Sequence, residues 1–176
     1  MESLASATNK ERYGASSCID GDNIYIYGGI DVNDNYLNDM LKYNITTNTW
    51  DLNFYSGGTP GTNIPPKLSF TSIMPLSSNC FFIFGGRDDS VLINDIWKFH
   101  VETKTWKKEY SNPTTPSKRT GHSMVIDYFD DKANMIVFGG ESSDGKINDT
   151  YSYTLSNVFG NIGPLKISDL SGQEFY

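Results

Sequence analysis

The chain predicts an all-β fold, a propeller segment of three consecutive four-stranded antiparallel blades. Two observations carry that expectation. A short apolar run ends in a glycine pair three times, as NIYIYGG (23–29), CFFIFGG (80–86) and NMIVFGG (134–140). After each pair come a polar loop, an Asn-Asp pair (Asn38 and Asp39, Asn94 and Asp95, Asn148 and Asp149) and an alternating strand. In the first two copies a tryptophan, Trp50 or Trp106, follows eleven residues past the Asp. The copies recur at roughly 55 residues, a period of the kind that marks stacked supersecondary units.

Each copy opens with a lead-in, RYGAS (12–16), KLSFT (67–71) or RTGHS (119–123), that feeds a short first strand (ASSCI, FTSIM, HSMVI). A turn such as Asp20, Gly21 and Asp22 reverses the chain into the second strand, the apolar run. That run is apolar at nearly every position, so it is expected to face water on neither side. It is too short for a helix, rich in aromatic and β-branched residues, and ends in glycine. The third strand, LKYNI, WKFHV or YSYTL, alternates with period two. Its inward sets are Leu41, Tyr43 and Ile45, then Trp97, Phe99 and Val101, then Tyr151, Tyr153 and Leu155. A tight turn at 46–48 or 102–104 delivers the tryptophan to a fourth strand. A meander with a doubly buried inner strand must be stacked between similar sheets, and radial stacking is a β-propeller.

The blades are expected at about 12–53, 67–110 and 119–157. A tail at 1–11 precedes them, and a tail at 158–176 follows. The stretch PLKIS (164–168) echoes PPKLS (65–69) and reads as the opening of a fourth blade. The glycine pairs (Gly28 and Gly29, Gly85 and Gly86, Gly139 and Gly140) sit where strands leave crowded sheets, and a residue without Cβ tolerates both close approach and positive φ. The Asn-Asp pair is expected to tie the following turn through side-chain to backbone bonds. Trp50 and Trp106 are expected to pack between blades with the indole N–H bonded near the rim.

A formal net charge of −7 disfavours nucleic acid, which needs a basic stripe. The first residues have no apolar core of a signal peptide, and no run approaches a membrane span. Cys18 and Cys80 fall in different strands and form no disulfide framework, so the chain is expected to be cytoplasmic. No catalytic or metal constellation is visible, and no cofactor is expected. The two histidines, His100 and His122, read as structural or surface residues; the positions matched to His122 hold Ala15 and Phe70. Asp-rich turns lack the Gly and Glu framework of a calcium loop. The glycine pairs open no helix and so form no phosphate loop. What remains is a surface of loops between second and third strands (30–37, 87–93, 141–147) and between fourth and first strands of successive copies (54–66, 110–118). Tyr36 and Arg87 are the best binding candidates there by residue type, with Asp88 and Asp89 beside them.

The set Arg-x-Gly-His-Ser, an apolar strand ending in Gly-Gly, Asn-Asp, an aromatic strand and a tryptophan resembles the kelch repeat over about 12–155. Copy two departs with Lys67 where its neighbours have Arg, and copy three with Gly160 where the tryptophan is expected, Phe159 standing one place earlier. The resemblance implies a propeller of more than three blades, so the chain is a fragment, a truncated paralogue or one share of a ring completed by other blades. With three blades alone, Tyr25, Tyr27, Met135 and Val137 are expected on bare apolar faces that drive self-association. The resemblance also implies a non-enzymatic, adaptor-like module that binds a protein partner on its loop face. The alternative it implies is part of a propeller enzyme similar to galactose oxidase or to the kelch-type sugar mutarotase, although no copper-ligand pattern is visible.

Overall fold

The structure, a computed structural model, describes residues 4–61, 63–77, 79–109, 115–129 and 132–155. Among these residues every regular element is a strand: β1 (Arg12–Tyr13), β2 (Ser16–Asp20), β3 (Asn23–Tyr27), β4 (Ile30–Asp31), β5 (Met40–Asn44), β6 (Thr49–Tyr55), β7 (Ser72–Ser77), β8 (Cys80–Phe84), β9 (Ile96–His100), β10 (Thr105–Glu109), β11 (Ser123–Phe129), β12 (Lys132–Ser142) and β13 (Gly145–Thr154). Strands β2, β3, β5 and β6 form one antiparallel meander, β7 to β10 a second, and β11 to β13 a third. The small β1–β4 ladder sits at the start of the first copy. A fourth strand for the third copy, together with Phe159, Gly160 and the echo at 164–168, falls outside the described residues. The first strands pack on one another, β2 on β7 and β7 on β11, so they make an inner edge and β6 and β10 an outer one.

Register decides which side chains meet the neighbouring sheet. Ile24 lies opposite Tyr43, Phe81 opposite Phe99, and Met135 opposite Tyr153. Residues paired in this way share a face. In the second and third sheets that face meets the preceding sheet. Phe81, Ile83, Trp97 and Phe99 pack with Tyr25, Tyr27, Met40 and Phe54, and Met135, Val137, Tyr153 and Leu155 pack with Cys80, Phe82, Phe84 and Ile96. Ring centroids of Tyr25 and Phe81 are 4.4 Å apart, and those of Tyr27 and Trp106 5.2 Å. Full burial of each such side chain contributes on the order of 1.5–3 kcal/mol.

Two expectations are corrected by this packing. Only the middle sheet has its second strand buried on both faces, because it alone is flanked on both sides among the described residues; in β3 and β12 burial alternates. The bare faces also have the opposite parity. Tyr25, Tyr27, Met135 and Val137 are buried in the two inter-sheet cores. The outer faces carry Ile24 and Ile26 on the first sheet and, on the third, Ile136 and a Phe138 that is 54% exposed. Strand side chains alternate, so a one-residue change of parity exchanges the faces. The first sheet's outer face is partly roofed. Trp50 rests on Tyr43 with centroids 4.9 Å apart, and its indole N–H donates to the Ala5 carbonyl at 2.8 Å. The Ala5 N–H donates to Asn48 Oδ1. Trp50 therefore lies beneath the N-terminal segment, whereas Trp106 lies between sheets.

The first two glycine pairs are stitches between sheets, and the third repeats their backbone. Gly28 and Gly29 have φ of 66° and 95°, Gly85 and Gly86 62° and 92°, and Gly139 and Gly140 63° and 101°. The Gly29 N–H donates to Leu68 O and the Gly86 N–H to Arg119 O, both at 2.8 Å. A Cβ on Gly28 would strike the Leu68 carbonyl, and one on Gly85 would lie 2.9 Å from Arg119 O. A further stitch repeats beside them: the Ser16 hydroxyl donates to Thr71 O, and that of Ser72 to His122 O at 2.9 Å.

These bonds fix the correspondence of the lead-ins and correct the sequence match by one residue. Leu68, and not Lys67, occupies the place of Arg12 and Arg119. Lys67 is exposed while Leu68 is buried. A Cβ on Gly29, Gly86 or Gly140 would meet Ala15, Thr71 or His122 respectively, so Thr71 is the counterpart of His122. Phe70 then stands in the place of Gly14 and Gly121.

Candidate interaction face

The loops that leave the glycine pairs are each held by an anchor two residues past the pair, a carboxylate in the first two copies and a hydroxyl in the third. The Asp31 carboxylate accepts from the Asn33 and Asn35 N–H groups at 2.8 and 2.9 Å. Asp88 accepts from the Ser90 and Val91 N–H groups at 2.9 and 2.8 Å. The Ser142 hydroxyl accepts from the Asp144 N–H at 3.2 Å. Hydrogen bonds from Asn35 and Asn33, with the Arg12 charge as a smaller contribution, hold the Asp31 carboxyl below its usual pKa. Short polar side chains that cap their own turn in this way preorganise it. The third connection, expected as a loop over 141–147, is instead a tight hairpin. Strands β12 and β13 pair through Ser142 and Gly145 around Ser143 and Asp144, with a bulge between Phe138 and Gly140. Gly145, at φ 112°, suits the return from that turn.

The connections between copies run along the same side. Asn38 donates to the carbonyls of Gly58 and Pro65 at 2.9 and 3.0 Å, and the Gly58 N–H donates back to Asn38 Oδ1. Asn94 donates to Pro116 O at 3.3 Å, and the Tyr27 hydroxyl to Pro66 O at 3.3 Å. The asparagines of the first two Asn-Asp pairs thus lace the connection to the next copy, where the sequence predicted they would tie their own turn.

The aspartate of the pair does something the sequence reading missed. Arg12 forms a two-pronged bond to Asp39 at 2.7 and 3.0 Å and donates to Gly28 O at 2.9 Å. Arg119 repeats this with Asp149 at 2.6 and 3.0 Å and with Gly139 O at 3.1 Å. A forked guanidinium matches a carboxylate geometrically, and burial strengthens the pair. The Arg119 hydrogen bonds hold the Asp149 carboxyl below its usual range. Copy two has Leu68 in place of the arginine, and its Asp95 pairs instead with Lys108 at 2.7 Å. The readable sign was that arginine opens the first and third copies only.

Of the predicted binding residues, Arg87 is exposed at the base of its loop, where its main chain bridges to Ser69 and Leu92, Asp89 is exposed at the tip, Asp88 is committed to capping that loop, and Tyr36 is half-buried in a bridge to Ile30. The structure brings Arg87, Asp88 and Asp89 together and leaves Tyr36 on the first copy's loop. His122 is wedged between sheets with its ring 5.1 Å from Phe84. Burial, with the Arg119 charge alongside, brings its pKa down to about 4, so it is neutral. His100 is held below its usual value by burial and by Lys98 and Lys107. Burial pushes the Cys18 thiol to about 12 and Cys80 to about 11, which keeps both protonated and unreactive. No three His, Cys, Asp or Glu side chains converge among the described residues, and no helix there is long and apolar enough to cross a membrane.

The Attractin/LZTR1 beta-propeller family matches residues 2–158. The chain is 32% identical over 166 residues to the leucine-zipper-like transcriptional regulator 1 homolog of Drosophila melanogaster, covering 87% of this chain and 16% of that protein. It is 30% identical over 142 residues to tip elongation aberrant protein 1 of Schizosaccharomyces pombe, covering 78% of this chain and 12% of that protein. Kelch domain-containing protein 3 of Bos taurus is 30% identical over 139 residues, 73% of this chain and 34% of that protein. The chain therefore spans about a third or less of the length of these relatives.

Proposed function

This chain belongs to the Attractin/LZTR1 beta-propeller family of kelch-type propellers, and from that premise we propose that it is a non-enzymatic, adaptor-like module that holds a protein partner on its loop face. The observation that carries the reading is a common anchor with unlike tips. Asp31, Asp88 and Ser142 cap their loops in equivalent ways, while the tips read Val32-Asn33-Asp34, Asp89-Ser90-Val91 and Ser143-Asp144. Rigidly based loops that differ at the tip suit selective binding at low ordering cost. Arg87 and Asp89 are the contacts proposed first, with Tyr36 at the edge. Two free, protonated thiols fit a reducing cytoplasm, where we place the protein.

The test is affinity capture from cell extract with the full chain. The controls are an Arg87→Glu, Asp89→Lys variant and a Thr47→Lys, Thr103→Lys variant in the turns on the opposite side. Loss of captured proteins in the first alone supports the loop face. Loss in the second alone overturns it, and so does capture indifferent to both.

A further inference from the structure

At the inner edge the three lead-ins meet through their main chains. The Phe70 N–H donates to Gly14 O at 2.7 Å, and the Gly121 N–H donates to Phe70 O at 2.9 Å. All three residues have positive φ: Gly14 65°, Phe70 50° and Gly121 63°. Glycine adopts that region freely, while for a bulky side chain it is a true outlier that costs about 1–2 kcal/mol. Two copies use the comfortable residue. The middle copy carries a strained aromatic instead, and strain held by the surrounding structure is a reason to look for a function.

The ring is not spent on the core. Phe70 is 42% exposed and Tyr13 beside it 56%, their centroids 6.4 Å apart in an edge-on arrangement. The Phe70 ring fills the space that a side chain at Gly14 would take, with ring atoms 3.0–3.2 Å from that position. On the other side, a Cβ on Gly121 would meet nothing within 4 Å among the described residues. The ring therefore leans over the first copy and leaves an open step above Gly121. The surrounding loops set the charge. Residues 30–37, 87–93 and 141–147 hold Asp31, Asp34, Asp88, Asp89, Glu141 and Asp144 against Arg87 and Lys146, and the exposed Lys67 and Lys118 of the adjoining connections leave the acidic side chains still in excess. An aromatic face within an acidic rim attracts a cation, through the ring quadrupole at short range and the summed field at long range.

We propose that Tyr13 and Phe70 form the anchoring platform for a lysine- or arginine-bearing segment of the partner protein, seated on the step beside Gly121. This rests on the loop-face reading and names the chemistry of its partner. The acidic rim alone would attract any polycation; the aromatic pair adds a cation–π contact that a neutral or acidic segment does not make.

The experiment measures fluorescence anisotropy of the full chain with three labelled peptides on one Gly-Ser spacer, bearing Lys and Arg, Glu, or Leu and Phe. Phe70→Gly restores the residue of the other copies and leaves every charge in place. The basic peptide is expected to bind and the other two not, with affinity reduced about tenfold by Phe70→Gly and by Tyr13→Ser. The melting temperature of Phe70→Gly is expected to equal or exceed that of the natural chain, since the strain is relieved. Unchanged basic-peptide affinity in Phe70→Gly would reduce the attraction to general electrostatics and overturn the proposal. So would a lower melting temperature, which would make the ring a structural clamp, or equal binding of the apolar peptide. If cell-extract capture still depends on Arg87 and Asp89 while the basic peptide ignores Phe70, the loop face stands and this platform falls.

Discussion

Replacing Gly85 and Gly139 separately by alanine isolates the contribution of the junction between sheets. The two backbones are alike, with φ of 62° and 63°. An alanine therefore meets the same left-handed strain at each, about 1–2 kcal/mol. Its effect on the unfolded chain is also common to both and cancels in the comparison. The surroundings differ. At Gly85 the new Cβ would lie 2.8 Å from His122 Cε1 and 2.9 Å from Arg119 O, both in the lead-in of the next copy. Arg119 O is the acceptor of the Gly86 N–H, so relieving the clash stretches an inter-sheet hydrogen bond. Overpacking of this kind costs about 1–3 kcal/mol and a weakened bond about 1 kcal/mol more. At Gly139 the new Cβ would meet only Ile147 O, at 3.3 Å, among the described residues. Gly85→Ala should therefore lose about 3–6 kcal/mol and Gly139→Ala about 1–2 kcal/mol. Urea denaturation followed by tryptophan fluorescence reads the difference, because Trp97 and Trp106 lie in the inter-sheet core. Equal losses would show that φ strain accounts for both positions and that the junction tolerates a methyl group.

Acid should weaken the junction through His122. Its folded pKa of about 4 lies below the ordinary 6.5, so the unfolded chain binds the extra proton between those values. Stability is complete above 6.5, falls as pH drops toward 4, and loses about 2–3 kcal/mol over that window. His122→Thr, the residue of copy two, should flatten the profile; an equally steep profile in that variant would assign the effect elsewhere. Asp149→Ala should cost about 2–3 kcal/mol by leaving the Arg119 charge buried without its partner. Adding Arg119→Leu, the solution copy two uses at Leu68, should recover at least about 1 kcal/mol of that loss. Strictly additive denaturation energies would contradict a coupled pair. Native Cys18 and Cys80 should resist alkylation near about pH 8 and react after unfolding. Mass spectrometry showing rapid native labelling would refute their burial.

The sequence by itself determined that the chain is made of meanders. The apolar runs ending in glycine and the alternation of LKYNI, WKFHV and YSYTL are local patterns, and period two is a property of any strand with two unlike faces. The alternation could say that each sheet has two faces but not which one turns to the preceding sheet. That depends on the stacking, so Tyr25 and Met135 were expected on bare surface and instead lie in the cores. The exposed charges of Arg87 and Asp89 were legible because charged residues between strands stay in water. Arg12 with Asp39 and Arg119 with Asp149 were not, since each pair joins positions 27 or 30 residues apart. Copy two's lead-in shows the limit most clearly. It has no internal period, and its alignment is set by the bond from Gly29 to Leu68 and by the chain of bonds through Gly14, Phe70 and Gly121. Those bonds exist only once the sheets have stacked. They place Leu68 where the sequence match put Lys67, and a phenylalanine where its neighbours keep glycine.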